Sequence, residues 1–124
     1  MTPTNDELVA LRHRLDQVFS PETASVCSLH VPPSSGHCAA VSLIIRTMFG
    51  GELVSSNVKG YSHWFNRIDG YDIDLTGDQF GMPAVQMREA ETLHSHSRIR
   101  TLSDVNTETW ERTLLLSERL GRTR

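Results

Sequence analysis

The hydrophobic pattern changes its period at Gly50-Gly51, near the middle of the chain, and this change constrains the fold more than any other feature. Before the glycines, residues 38–49 form a run that is apolar on most faces, which is typical of a central buried helix. The glycine pair ends that helix. After the glycines, apolar residues recur at every second position, which indicates strands. The strands predicted from this alternation are 52–58, 62–68 and 71–75.

Two turn signals separate the predicted strands. Lys59-Gly60 follows the first strand and Asp69-Gly70 follows the second, and an Asp-Gly pair is a strong signal for a tight hairpin. A further strand is predicted within 94–100, after a stretch with no clear pattern. Together these signals predict a small antiparallel sheet.

Amphipathic helices are predicted at both ends of the chain. In residues 4–19 the apolar side chains share one stripe, and Thr4 with Glu7 has the spacing of a capping box. The last helix is predicted at about 107–120. The side chains expected to point inward from that helix are Trp110, Leu114 and Leu115. The chain is therefore predicted to be one α+β domain, residues 1–124, with a central helix packed on the sheet and flanked by N- and C-terminal helices.

Composition narrows the classes of function. The chain has 124 residues and a net charge of −3, so no basic field favours a nucleic-acid partner. No apolar run is long enough to span a bilayer and no signal peptide is visible, so a cytoplasmic protein without a membrane partner is expected. The two cysteines, Cys27 and Cys38, do not make a disulfide framework, and a bridge between them is the less favoured alternative.

Cys38 lies where a loop rich in proline and serine gives way to the central helix, directly after Gly36-His37. A thiol acts as a nucleophile only as the thiolate. Unpaired N–H groups and the positive dipole at a helix N-terminus favour that anion, and a nearby imidazolium favours it further. The same N–H groups could hold the oxyanion of a tetrahedral intermediate. Cys38 is therefore the candidate nucleophile, although a cysteine in such a position is often only a small buried hydrophobe.

His63 and Asp74 lie on neighbouring predicted strands. The two-residue turn at Asp69-Gly70 pairs Phe65 with Asp74, which puts Asp74 diagonally next to His63 on one face of the sheet. Asp72 is two residues nearer to the turn, and it is expected to be a solvated strand residue. The register therefore predicts His63 as the general base and Asp74 as the residue that orients its ring.

Four further residues lie close to these three in the sequence and are candidates for binding a substrate. They are His37, Trp64, Asn66 and Gln79. His37 or Gln79 could donate a hydrogen bond to an oxyanion, and Trp64 could form a wall of the cleft. Plainer interpretations also stand: a turn role for Gln79, and core packing for Trp64.

His94 and His96, with one residue between them, have the spacing of a chelate on a strand. Together with Cys38, His63 or Asp74 they could complete a tetrahedral zinc site. No second paired-ligand motif accompanies them, and the His-x-Glu with Pro-Cys-x-x-Cys pattern of zinc deaminases is absent. A metal site is therefore the least favoured interpretation, and no cofactor is expected.

Four runs of the chain resemble the YunG-like family of small bacterial proteins. The runs are 33–40, 49–52, 62–67 and 73–80. More distantly, their Gly-x-Cys, His-Trp and Asp-Leu-Thr elements resemble the transglutaminase-like and arylamine N-acetyltransferase branches of the papain-like superfamily. In those enzymes a cysteine at a helix start, a strand histidine and an aspartate on the next strand form the triad. The resemblance implies a papain-like core and assigns these three roles to Cys38, His63 and Asp74.

The residues and the resemblance together predict a cysteine-dependent hydrolase or acyltransferase that acts on an amide or a thioester. Its partner would be an amide- or thioester-containing substrate, such as a peptide or a protein. The main alternative is a non-catalytic binding or regulatory module that keeps the same core, and a histidine-based metal site comes third.

Overall fold

The protein is an α+β structure in the computed structural model, which describes residues 2–25 and 32–123. The helices in these ranges are α1 (Asn5–Asp16), α2 (Cys38–Phe49) and α3 (Thr107–Leu120). The strands are β1 (Glu52–Val58), β2 (Tyr61–Ile68), β3 (Tyr71–Asp74), β4 (Gln86–Glu89) and β5 (Arg98–Arg100). Two short 3-10 helices span Gly77–Phe80 and Leu102–Asp104. Within the same ranges, no helix has both the length and the apolar character that a membrane crossing requires.

The five strands form one antiparallel sheet in the order β4-β3-β2-β1-β5. The β2–β3 hairpin turns through Asp69 and Gly70, whose φ angles of 49° and 83° both lie in the left-handed region that this two-residue turn requires. Asn66 lies opposite Ile73, so the predicted register of the hairpin is confirmed. The strand expected within 94–100 is shorter than that range, because β5 contains only its last three residues.

Both terminal helices begin with a side-chain cap, and the cap of α1 is the predicted capping box. In front of α1, the Thr4 hydroxyl accepts a hydrogen bond from the backbone N–H of Glu7, and the Glu7 carboxylate accepts one from the N–H of Thr4. In front of α3, the Asn106 side chain accepts from the backbone N–H of Thr109 at 2.8 Å. Each cap satisfies N–H groups that the first helical turn leaves without a partner.

The prediction that Trp110, Leu114 and Leu115 point inward from α3 is wrong. Leu114 is 67% exposed and Trp110 also lies at the surface, whereas Leu116 and Leu120 are buried. Leu115 is only partly buried. α3 carries apolar residues on two neighbouring stripes, and the helical period alone does not choose between them. Packing against the core makes that choice.

α2 packs against one face of the sheet, as predicted for a central helix. Its apolar side chains form one core with side chains of α1, α3 and the sheet. Members of this core that are almost fully buried are Leu8, Leu15, Ile45, Ile73, Leu75 and Leu116. On this face the Asn66 side chain also donates a hydrogen bond of 2.8 Å to the backbone oxygen of Ser42, which ties β2 to α2.

The opposite face of the sheet is covered by residues 90–97, the segment between β4 and β5. The ring of His94 lies 4.8 Å from the ring of Phe65, and Arg67 donates to the Ser97 hydroxyl at 3.0 Å. Polar side chains on this face are therefore enclosed, so they need hydrogen-bond partners within the protein.

Candidate active site

Cys38 is the first residue of α2, and it borders a cavity of about 590 Å³. Its thiol is free and half-buried. Cys27, with which Cys38 would form the alternative disulfide, lies outside the described residues. Gly36 has a φ of 77°, and a Cβ atom there would lie 3.0 Å from the backbone nitrogen of Ser25. The tight turn before Cys38 therefore requires glycine.

Side chains from two other segments line the cavity. They are Lys59, Tyr61, Ser62, Gln79 and Phe80. The rings of Tyr61 and Phe80 lie 6.3 Å apart, and the Lys59 ammonium donates to the backbone oxygen of Phe80 at 2.9 Å. The β1–β2 turn and the Gly77–Phe80 helix thus form the wall of the cavity across from the start of α2.

His63 lies on the part of β2 that continues past the end of β3, and its side chain is fully buried. Its Nε2 lies 2.7 Å from Oδ2 of Asp74, so the predicted contact between these two residues is present. Its Nδ1 lies 3.5 Å from Nε2 of Gln79, and the side chain of Cys38 is near enough to raise the pKa of the ring. The structure therefore joins the imidazole of His63 to a buried carboxylate, with the thiol of Cys38 nearby.

The surroundings of His63 favour its protonated form. Burial by itself lowers the pKa of His63, but the hydrogen bonds and charges of Asp74 and Cys38 outweigh burial and raise the pKa to about 9. The imidazole therefore carries a proton at neutral pH. A charged ring forms an ion pair with the carboxylate of Asp74.

Asp74 is buried, and each of its hydrogen bonds favours the ionised carboxylate over the protonated acid. Burial alone would raise the pKa of Asp74, but hydrogen bonds from His63, His94 and Thr76 hold it far below its usual range. The backbone N–H of Thr76 donates to Oδ1 at 2.9 Å, while both imidazoles bind Oδ2. Asp74 is therefore ionised throughout the neutral pH range.

His94 also belongs to this site. The sequence linked it to His63 and Asp74 only through the least favoured interpretation, a metal site, and did not predict its hydrogen bond to Asp74. Its Nε2 lies 2.9 Å from Oδ2 of Asp74, whereas His96 is exposed and makes no part of the site. His94 belongs to a segment without regular structure, so no periodicity links it to β3. In the part of the chain that the structure describes, His63, Asp74 and His94 are the three residues whose ligand atoms lie close enough together to hold a metal ion, within 4.8 Å of one another.

The expectation that Asp72 is a solvated strand residue is wrong. Asp72 is fully buried, because the 90–97 segment covers its face of the sheet. Arg67 donates to its two oxygens at 2.7 and 3.1 Å, and the backbone N–H of Glu91 donates at 2.9 Å. Asp72 therefore binds this segment to the sheet and does not contact His63.

Of the four predicted substrate-binding residues, only Gln79 lines the cavity. Its Nε2 donates to the backbone oxygen of Thr76 at 3.0 Å, which leaves one of its two N–H bonds for another acceptor. His37 is directed away from Cys38: its Nε2 lies 2.7 Å from the Thr23 hydroxyl. Burial lowers the pKa of His37, so its neutral ring serves to pack the loop before α2.

Trp64 and Asn66 do not reach the cavity either, because both project from the face of β2 opposite to His63. The guanidinium of Arg100 lies 5.7 Å from the centre of the Trp64 ring, as in a cation–π contact. Asn66 is fully buried beneath α2. Alternation along the strand thus separates these two side chains from the site.

A second network, which no sequence signal marked, joins the segments on either side of the cavity. The buried Arg12 donates to both oxygens of Asp78 at 2.9 and 2.8 Å and to the backbone oxygen of Leu75 at 2.7 Å. The Ser34 hydroxyl donates to the same carboxylate at 2.6 Å. Asp78 precedes Gln79, and Ser34 lies in the loop that leads to Cys38.

Fold and site together define a small α+β protein with a thiol at a helix start beside a cavity and a buried imidazole that is hydrogen-bonded to a buried carboxylate. A family model described as "YunG protein" matches residues 7–123, so the chain belongs to the YunG family. Over 51 residues it is 37% identical to "Uncharacterized protein YunG" of Bacillus subtilis (strain 168), a match that covers 41% of this chain. The match spans 44% of the length of that relative. No solved structure matches the chain.

Proposed function

We propose that this protein is a cysteine-dependent hydrolase or acyltransferase that acts on an amide or a thioester. The observation that carries the proposal is the hydrogen bond of 2.7 Å between His63 and Asp74, with the Cys38 side chain near enough to raise the pKa of the same imidazole, at the edge of a cavity. In this proposal Cys38 is the nucleophile, His63 is the acid and base, and Asp74 orients His63.

The first step is acylation of Cys38. The proton of the thiol resides on Nδ1 of His63, which the raised pKa of that ring favours. The thiolate attacks the carbonyl carbon of the substrate, and a C–S bond forms. The developing oxyanion would meet the backbone N–H of Cys38 at the start of α2 and the remaining N–H of Gln79.

Collapse of the tetrahedral intermediate completes the reaction in two stages. The bond to the leaving group breaks, and His63 gives its Nδ1 proton to the departing amine or thiol. Water or an acceptor nucleophile then attacks the acyl-cysteine while His63 removes its proton, and the C–S bond breaks. Asp74 keeps the other proton on Nε2 throughout, so that Nδ1 always faces the sulfur.

The resemblance to papain-like enzymes supports the same reaction class. In this chain the central helix begins with Cys38, and the histidine and the aspartate lie on adjacent antiparallel strands. This is the order of elements that the transglutaminase-like branch uses for its triad. We therefore infer a papain-like core, and an acyl group of a peptide, protein or smaller amide as substrate.

Alkylation of Cys38 by iodoacetamide tests the proposal. The rate is measured for the peptide that contains Cys38, by mass spectrometry, so that Cys27 does not contribute. Rapid labelling that persists at about pH 6 and is slowed at least tenfold in His63→Ala supports a thiolate–imidazolium pair. His13→Ala, a change at an exposed histidine of α1, is the matched control and should label like the unmodified chain. Labelling that follows a free thiol, with a midpoint near ~8.5, would favour a non-catalytic binding module.

A second candidate function is a metal-dependent site, because His63, Asp74 and His94 bring three ligand atoms together. Zinc content of the purified protein separates the two. One zinc per chain, retained on dialysis and lost in Asp74→Asn, would favour the metal site over thiol chemistry.

A further inference from the structure

One oxygen of Asp74 binds two imidazoles. His63 Nε2 lies 2.7 Å from Oδ2 and His94 Nε2 lies 2.9 Å from the same atom. An ionised carboxylate accepts hydrogen bonds and donates none, so both rings must carry a proton on Nε2. The rings meet edge to face with their centres 5.2 Å apart, so each limits the rotation of the other.

The position of His94 is deeply buried. Its side chain is 3% exposed and rests against the ring of Phe65. A buried polar ring costs free energy unless its hydrogen bonds are made, and an apolar side chain would serve packing equally well. The bond to Asp74 is therefore what an imidazole provides here that an apolar residue would not.

We propose that His94 is a positioning residue that holds the Asp74 carboxylate in place for His63, and so adds a fourth residue to the proposed triad. This role rests on the proposed function, because the alignment of Asp74 matters when His63 exchanges protons with Cys38. Thr76 holds the other oxygen of Asp74 through its backbone N–H. The carboxylate is thus held at both oxygens, and it cannot turn away when the charge of His63 changes.

His94 also shares the negative charge of Asp74. Without its hydrogen bond, the carboxylate would bind the Nε2 proton of His63 more strongly, and the pKa of His63 would rise further above its value of about 9. The described groups that face the His63 ring are Asp74, Cys38, His94 and Gln79, and only Asp74 and Cys38 can add negative charge. Removal of His94 should therefore change both the geometry and the titration of His63.

Two variants separate the hydrogen bond from packing. His94→Leu keeps much of the volume and removes the donor, whereas His94→Gln places an N–H donor about as far from the backbone as Nε2 of histidine. His96→Gln, at the exposed neighbouring histidine, is the control. Thermal unfolding identifies folded variants, iodoacetamide labelling gives the reactivity of Cys38, and NMR titration of the ring gives the pKa of His63.

We expect His94→Leu to label Cys38 about tenfold more slowly, as for a small misplacement of a catalytic group. His94→Gln should stay within about threefold of the unmodified chain, and His96→Gln should not differ from it. The pKa of His63 should be higher in His94→Leu than in the unmodified chain. In His94→Gln it should be close to that of the unmodified chain.

Three results would overturn the proposal. Equal slowing in the leucine and glutamine variants, with an unchanged His63 titration, would mean that the ring only packs. If His94→Leu labels Cys38 as fast as the unmodified chain does, His94 has no positioning role. If the purified protein holds stoichiometric zinc that is lost in His94→Gln, His94 is a metal ligand. If Cys38 of the unmodified chain labels like a free thiol, the proposed function fails, but the titration of His63 in His94→Leu still decides whether His94 acts on Asp74.

Discussion

The guanidinium of Arg12 in α1 binds both carboxylate oxygens of Asp78, and the same carboxylate accepts a hydrogen bond from Ser34. Ser34 lies in the turn before Cys38, and Asp78 is followed directly by Gln79. One ion pair, in which Arg12 is buried and Asp78 is partly exposed, therefore fixes both segments that deliver polar groups to the cavity. The contact holds parts of the chain that are far apart in sequence, so it stabilises the site as well as the fold.

Asp78→Asn should destabilise the protein by roughly 2 kcal/mol, because it leaves the charge of Arg12 buried without its main partner. Asp16→Asn is the matched control, since Asp16 binds the same guanidinium from a half-exposed position and should cost at most about 0.5 kcal/mol. Urea denaturation measures both. Asp78→Asn should also slow labelling of Cys38 several-fold, and equal losses of stability in the two variants would show that the Asp78 pair has no special role.

Asp74→Asn and Asp72→Asn test which aspartate serves His63. Asp74→Asn should slow labelling of Cys38 at least about tenfold, because an amide no longer fixes the Nε2 proton of the ring. Asp72→Asn breaks the pair with Arg67, so it should lower the melting temperature. Its labelling rate should stay close to that of the unmodified chain. Equal slowing in both variants would contradict the division of roles between the two residues.

Local signals explain why much of this architecture could be predicted. The capping box at Thr4, the glycines after α2 and the Asp69-Gly70 turn each act within a few residues, and the turn sets the register that brings Asp74 to His63. The order of Cys38, His63 and Asp74 along these elements is therefore visible in the sequence. The hydrogen bond between His63 and Asp74 follows from that register.

Contacts across the chain explain what could not be predicted. Whether Asp72 is solvated depends on the 90–97 segment, which has no periodicity and gains its position only by covering the sheet. The same segment carries His94 to Asp74. The stripe of α3 that faces inward is likewise chosen by its partner helix. In each case the burial or the contact of a residue depends on a segment far away in the sequence, so no local sequence pattern predicts it.

Stability should depend on pH through His63. Folding raises the pKa of His63 to about 9 from its ordinary value of 6.5, so its contribution is complete below the unfolded pKa and is lost as the pH rises through the folded pKa. The free energy of unfolding should therefore fall between about pH 6.5 and 9, by at most about 3 kcal/mol. Urea denaturation at about pH 6, 7.5 and 9.5 measures the change.

His63→Gln is the control for this series, because glutamine does not titrate. The fall in stability should be much smaller in that variant. Asp74 acts with the opposite sign: its pKa is lowered by folding, so its contribution is present above its unfolded pKa and lost as the pH falls through the acid range. Stability should thus be greatest between about pH 4 and 6.5. A slope that is identical in His63→Gln would assign the pH dependence to other groups.

Gln79 should affect acyl transfer but not alkylation. Reaction with iodoacetamide forms no oxyanion, so Gln79→Ala should change the labelling rate of Cys38 by less than about threefold. Acylation of Cys38 by an activated ester such as p-nitrophenyl acetate passes through a tetrahedral oxyanion, and loss of one donor should slow it about 100-fold. Release of p-nitrophenol, followed in the first turnover, gives the second rate. Because Gln79 also lies 3.5 Å from Nδ1 of His63, an equal slowing of both reactions would mean that it acts through the imidazole and not through the oxyanion.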